Sequence, residues 1–375
     1  MTSSLSARAD ALWERLETLS AKGVEIEDPR QTFIADDVEL DRIRPGARLG
    51  AGTRLQGART WVGEGARIGS EGPATVSDGV FGEGAGIASG FVEGAVLFAN
   101  ATLGGNAHVR PATILEEEAS TAHAVGLKHT ILLAWVTLGS VINFCDALMA
   151  GGRSRRDHSE VGSGFIHFNF TPWGVHGDKA APSLVGDVPR GVFYRERRIF
   201  LGGSGGMIGP RRVGFGSVAA AGQVVRHDVD DNRLVLRTPP RIDRVLDEDQ
   251  LDGTGRTRRN TDYIAQLVAL RSFYRAVRLV RADERSRPVY EAAIENLGEA
   301  IDERVKRLRS YLEEREAEIP ELELEPTVAD QCPLPVEAGA ESNGSHLEFI
   351  AALSDGDLEA GREWLREVVA AVRAG

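Results

Sequence analysis

Between residues 43 and 114, apolar side chains return at about every sixth place. Ile43, Leu49 and Leu55 make one run, Val62 and Ile68 resume it, Phe81 and Ile87 follow, and Leu97, Leu103 and Val109 complete it. Gly50, Gly63, Gly69, Gly82 and Gly104 each stand directly after one of these positions. A short fixed period marks a solenoid, because one repeat alone cannot bury its own apolar side. One aliphatic position in six followed by glycine predicts a mainly β fold, a β-helix of short strands with aliphatic side chains stacked inside. The glycines fall at tight corners, where a Cβ would clash. The solenoid is expected over 33–240, with loop insertions at 115–183 where the period is lost.

The flanking segments change period. Leu5, Leu12, Leu16 and Leu19 lie near helical spacing and predict an amphipathic helix over 4–21, part of an N-terminal cap (1–32). It would cover the bare strand edge of the first coil. A polar linker, 241–260, leads to a helical hairpin over 261–316. Ile264, Leu267, Val268 and Phe273 mark one stripe there, and Tyr290, Ile294, Leu297, Ile301, Val305, Leu308 and Leu312 mark another. The second stripe is close to a heptad seam, which suits a helix pair packed on the solenoid or an intersubunit coiled coil. An acidic, Pro-rich linker (317–345) and a C-terminal helix (346–375) complete the expected order.

Composition narrows the function classes. A net charge of −12 argues against a nucleic-acid partner, which needs a basic stripe. Two cysteines, Cys145 and Cys332, are too few for a disulfide framework. No stretch approaches ~18 apolar residues and the N-terminus has no apolar signal core, so no membrane span is expected and a cytoplasmic protein is.

Candidate chemistry gathers in the irregular middle, where His123, His129, His158, His167 and His176 all fall. If 164–170 is extended with Ile166, Phe168 and Phe170 inward, then Phe165, His167 and Asn169 share the outer face. There, His167 with Asn169 would be a base and its hydrogen-bond partner, or a structural ladder between coils. The same alternation places His158 beside Glu160 with Val161 inward, and a carboxylate beside an imidazole raises its basicity. No His-x-x-x-His or Cys-x-x-Cys spacing supports a metal site, so no metal is expected. Arg110, Lys128 and Lys179 are each able to meet a phosphate. The basic run at 151–156 is an anion loop or a solvated one.

The hexads resemble the left-handed parallel β-helix of the hexapeptide-repeat transferases. Segments 108–111, 125–128, 161–170, 183–187, 199–210 and 216–225 more closely resemble the acetyltransferase domain of bifunctional UDP-N-acetylglucosamine pyrophosphorylase/glucosamine-1-phosphate N-acetyltransferase. The resemblance implies an acyl-CoA-dependent transferase, with acetyl-CoA as co-substrate, acting on an amino-sugar phosphate or nucleotide sugar in a homotrimer. By the same resemblance, Arg110, Lys128 and Lys179 would hold substrate phosphate. Asn169, Gly203 and Ala221 would line the CoA channel. The catalytic histidine of that family falls near Asn143, which would then sit among the substrate contacts, and His158, His167 and Glu160 are the remaining candidates for catalysis. No nucleotidyltransferase motif precedes the repeat. The rival expectation is a non-catalytic nucleotide-sugar binder or scaffold on the same prism.

Overall fold

A computed structural model describes residues 2–169, 181–237 and 256–374. Parallel strands of two to eight residues stack into a solenoid, recorded as an eleven-stranded and a sixteen-stranded sheet. The larger sheet is two walls joined at a corner. Val125–Leu132 and Ile142–Met149 each run through that corner, bending at His129 and Asp146, whose φ values are +50° and +55°. The first wall runs from Phe33–Ile34 through Ala107–Val109 to Ile166–Phe168 and Val224–Val225. The second runs from Trp61–Val62 through Thr113–Leu115 to Arg212–Val213, and the eleven-stranded sheet is the third.

The ten aliphatic and aromatic side chains of the six-residue period are all buried, none more than 2% exposed. They stack inside the column, and burial of each such side chain contributes about 1.5–3 kcal/mol. The glycine that follows one of them is required mainly by crowding. A Cβ on Gly50 would stand 2.0 Å from the carbonyl oxygen of Gly69 on the next coil. Corners are also turned by residues other than glycine in the left-handed region, among them Ala112, Glu118, Ala124, Trp135 and Val141. A β-branched residue there is strained, and the stacked coils on either side hold it in place.

The N-terminal helix Thr2–Ala21 lays Leu16 and Leu19 on the first coil, and Arg15 donates to the carbonyls of Ala35 and Val38. After the solenoid, Arg256–Phe273 continues through a π-helical turn, Tyr274–Arg278, and a second long helix follows at Arg287–Glu313. Leu297, Ile301, Leu308 and Leu312 of that helix are buried. The helix lies against Val80–Phe81, Ala95–Leu97 and Thr113–Leu115 of the second wall and against Arg256–Phe273. Its apolar seam is therefore covered within the chain. Residues 317–345 carry short 3-10 turns and bury Leu334, and Asp355–Ala374 packs on Arg256–Phe273.

The π-helical turn makes the central anchor. Arg278 is fully buried and donates to both oxygens of Glu117, at 2.5 and 3.0 Å, and to the Tyr194 hydroxyl at 3.1 Å. Glu116, equally buried, accepts from Tyr274 and Tyr194 hydroxyls at 2.7 and 2.9 Å and from the Ala134 amide at 3.0 Å. Burial pushes the Glu116 carboxyl above its usual range, against the opposing pull of Arg278. The same two carboxylates hold the Arg278 guanidinium charged. Among the described residues no helix is long and apolar enough to cross a membrane.

Candidate functional site

Strand register decides which candidate side chains meet. On the first wall, His108, Gly126, Asn143 and Ile166 stand in one column across successive coils. Lys128 pairs with Cys145 one step nearer the corner. Arg110 occupies the same step on the preceding coil, where its amide bonds the carbonyl of Leu127 and its guanidinium lies 3.9 Å from the Cys145 sulfur. Arg110, Lys128, Asn143 and Cys145 thus form one outward patch. Among the described residues neither Arg110, which is exposed, nor Lys128, which is half-buried, pairs with a carboxylate. The Cys145 thiol donates to Asn143 Oδ1 at 3.2 Å, and burial followed by the Asp146 charge pushes it above its usual range. It is a poor nucleophile.

The corner beside this patch is closed by the helical extension. Asp146 accepts from Arg304 at 2.9 Å and from the Asn169 amide at 2.7 Å. Asn169 is therefore engaged in holding the corner. His129 lies in the same corner, with Nδ1 buried and without a partner among the described residues. Burial, reinforced by the Arg304 charge, pushes its pKa down to about 4. It is neutral at pH 7 and a weak base. Arg304 is the residue that sequence reasoning missed here, since nothing local in its helix points to an aspartate 158 residues earlier. Asp146 and His129 both stand at coil bends with positive φ, where Asn and Asp tolerate left-handed geometry.

The placement expected for 165–168 is reversed. Phe165 and His167 point inward, at 0% and 3% exposure, whereas Ile166 and Phe168 are 44% and 47% exposed. Gly164 turns the corner with φ +75°, so the inward phase starts at Phe165. His167 stacks in the interior beside Phe144, and its two nitrogens are both occupied. Nδ1 meets the Cys145 carbonyl at 2.6 Å and Nε2 the Ser183 hydroxyl at 2.9 Å. The Cys145 carbonyl can only accept, so Nδ1 carries the proton of His167 and Nε2 accepts from the Ser183 hydroxyl, whose oxygen also takes the Arg211 amide. This histidine is a satisfied core residue, and burial pushes its pKa down.

His158 and Glu160 stand together, Nε2 and Oε2 3.8 Å apart, with Val161 inward as the alternation requires. His158 Nδ1 bonds the Arg155 carbonyl at 2.9 Å, which leaves Nε2 with the lone pair; burial lowers its pKa. This pair sits where the second wall passes into the third, a different corner from that of Arg110 and Lys128. A single chain does not bring them together. Of the basic run, Arg155 is tied to the Glu118 carbonyl at 3.0 Å and Arg153 to Asp157. Gly203 and Ala221 occupy the remaining corner on successive coils, linked by the Gly222 amide to the Gly203 carbonyl at 2.9 Å. Lys179, His176 and Phe170 lie outside the described residues. Among the described residues no group of three or more His, Cys, Asp or Glu converges on one point as a metal site.

A parallel solenoid of short coils with an open cationic patch and a helical extension defines a class, and known proteins of similar sequence narrow it. Over 241 residues the chain is 30% identical to the bifunctional protein GlmU of Clavibacter sepedonicus, covering 64% of this chain and 42% of that protein. GlmU of Nocardia farcinica is 29% identical over 225 residues, 60% of this chain and 40% of that protein. GlmU of Kineococcus radiotolerans is 29% identical over 235 residues, 62% and 42% respectively. No protein-family model matches the chain. The chain is thus a β-solenoid related to the GlmU proteins, and its match spans less than half the length of each of these relatives.

Proposed function

We propose that this protein is an acyl-CoA-dependent transferase whose acceptor is an amino-sugar phosphate or a nucleotide sugar. The observation that carries the reading is the pair Arg110 and Lys128, two cations on successive coils with no carboxylate partner among the described residues, beside the exposed amide of Asn143. A phosphate suits that arrangement, a guanidinium fork with an ammonium next to it. Exposed Ile166, Phe168 and Val224 on the same wall offer an apolar track for the arm of acetyl-CoA, beside the coils of Gly203 and Ala221. Lys179 is assigned to phosphate by resemblance.

Asn143 has no basic nitrogen and His167 is sealed in the interior, so the base in this scheme is His158, oriented by Arg155 and backed by Glu160. It reaches the patch from a neighbouring copy, in a homotrimer of prisms packed side by side. His158 Nε2 takes the proton of the acceptor amine, the nitrogen attacks the thioester carbonyl, and the CoA thiolate leaves as the amide forms. Replacing His158 by Ala should lower turnover at least about 100-fold without dissociating the assembly, read by thiol release and by light scattering. Unchanged turnover rejects the assignment.

A second reading is favoured by the amide that Asn143 carries on the outward patch and by the inward turn of His167: a binder of nucleotide sugars without acyl transfer. Thermal shift separates the two. Stabilisation by acetyl-CoA supports the transferase, and a response to UDP-sugars alone supports the binder.

A further inference from the structure

An open cavity of about 430 Å³ lies between the C-terminal helix Asp355–Ala374, the short helix Val188–Gly191 and the second-wall coil of Arg212. Gln266, on the helix Arg256–Phe273, lines it and is only 5% exposed. Its Oε1 accepts the Val188 amide at 2.9 Å, which fixes the side-chain amide and leaves Nε2 as the free end. That nitrogen has no hydrogen-bond partner among the described residues, yet it is not sealed, so its N–H donors are offered to the cavity. A donor group on a side chain so deeply buried calls for an acceptor.

The charge of the lining says which acceptor. Arg190, Arg212, Arg366 and Arg373 stand around the cavity against a single carboxylate, Asp187. Asp187 is already engaged, by the amide of Arg190 at 3.0 Å and by its guanidinium at 2.8 Å. Arg373 pairs with Asp262, and Arg366 with Glu359 and Glu363 of its own helix, exposed contacts that contribute little. The Arg212 side chain makes no hydrogen bond or ion pair among the described residues; only its backbone is held, by Asp228 and Val229. An unpaired guanidinium thus stands across from an amide group that can only donate, with further cations on two helices beside them. A planar carboxylate is satisfied by one guanidinium fork, whereas the oxygens of a phosphate point apart and accept from several directions at once. Val369 and Ala370 give the cavity an apolar side, which suits a short carbon substituent.

We infer that this cavity binds a phosphate group, free or as the monoester of a small molecule, with its oxygens on the Arg212 guanidinium and the Gln266 amide. Bound there, the phosphate ties the C-terminal helix to the solenoid. The strand of Arg212 is three coils beyond that of Lys128, so the site is separate from the Arg110–Lys128 patch. It does not rest on the transferase reading.

The test uses the full chain carrying Arg110→Ala and Lys128→Ala, so that the open patch takes no phosphate. Calorimetric titration is done in about 0.15 M sodium chloride, where loose surface charges are screened. The probes are inorganic phosphate, glycerol 3-phosphate and acetate. The expected result is saturable binding of both phosphates, acetate weaker by about tenfold or more, and a melting temperature that rises with phosphate concentration. Tighter binding of the ester assigns the site to a phosphorylated small molecule, and equal binding to free phosphate; both outcomes carry the inference. Gln266→Glu keeps the acceptor for Val188 but replaces the donor with a negative oxygen, and should abolish binding. Arg212→Gln should weaken it by about tenfold or more. No saturable binding of either phosphate overturns the inference, as does acetate binding equally well or unaltered affinity in Arg212→Gln. Arg212 is exposed, so that variant keeps the test decisive if Gln266→Glu does not fold.

Discussion

Two corners of the same prism treat charge in opposite ways. Where the second wall passes into the third, Glu116 and Glu117 are buried together and every charge is met, by Arg278 and by the hydroxyls of Tyr194 and Tyr274. Where the first wall passes into the second, Arg110 and Lys128 face outward and, among the described residues, no carboxylate answers them. The difference lies in what covers each. The π-helical turn at Tyr274–Arg278 delivers a guanidinium into the first of these corners. At the other, Arg304 is already held by Asp146, one step inside the patch, and leaves the outward cations alone. A charge that is buried and fully paired is part of the architecture; a charge that stays unpaired on a regular wall is available to a ligand.

The contrast breaks most visibly at Arg278. Replacing it by Met removes one partner and strands two buried carboxylates, which should cost about 3–5 kcal/mol in urea unfolding. Lys128→Met, the parallel change in the open corner, should alter stability by less than about 0.5 kcal/mol. Equal losses in the two variants would erase the distinction.

Acid should act next. His129 titrates near 4 in the folded chain and near 6.5 when unfolded, so the unfolded chain binds its proton first. Stability is complete above pH 6.5 and falls as pH drops towards 4, by about 2–3 kcal/mol for this residue. His167 and His346 shift in the same direction and add to the loss. His129→Gln should flatten part of that slope in a series of melting curves from pH 7 to 4; an unchanged slope would show that His129 is not buried neutral.

A smaller effect separates binding from folding. Arg110→Ala should weaken a nucleotide sugar by about tenfold, equivalent to about 1.4 kcal/mol, at nearly constant melting temperature. Smallest of all, His158→Ala should leave stability within about 0.5 kcal/mol, since the side chain is half-buried with Nε2 against a partly exposed carboxylate.

The interior of the column was legible because Leu49, Ile68, Ile87 and Leu103 repeat a single physical requirement. The phase at 165–168 was not. Phe165, Ile166 and Phe168 are all apolar, and placing His167 outside kept more of them inside on paper. The stack itself settles it, since His167 lies beside Phe144 and pairs with Met207 on the next coil. Ser183 and the Cys145 carbonyl then supply the polar partners that make a buried imidazole tolerable. The Arg278 anchor was illegible for another reason. Its partners Glu116 and Glu117 stand more than 150 residues earlier in the chain, and no local pattern links a run of glutamates to one arginine in a helix. At the candidate site, Arg110, Lys128 and Asn143 were legible only through the family resemblance, since the period is lost over 115–183 in the sequence. Their separation from His158 emerged only once the corners were placed.

The most direct measurement is calorimetric titration of UDP-N-acetylglucosamine into the unaltered protein and into the double variant Arg110→Ala, Lys128→Ala. Saturable binding that the double variant loses, at an unchanged melting temperature, is the predicted result. Equal affinity in both proteins would contradict the assignment of this corner to phosphate.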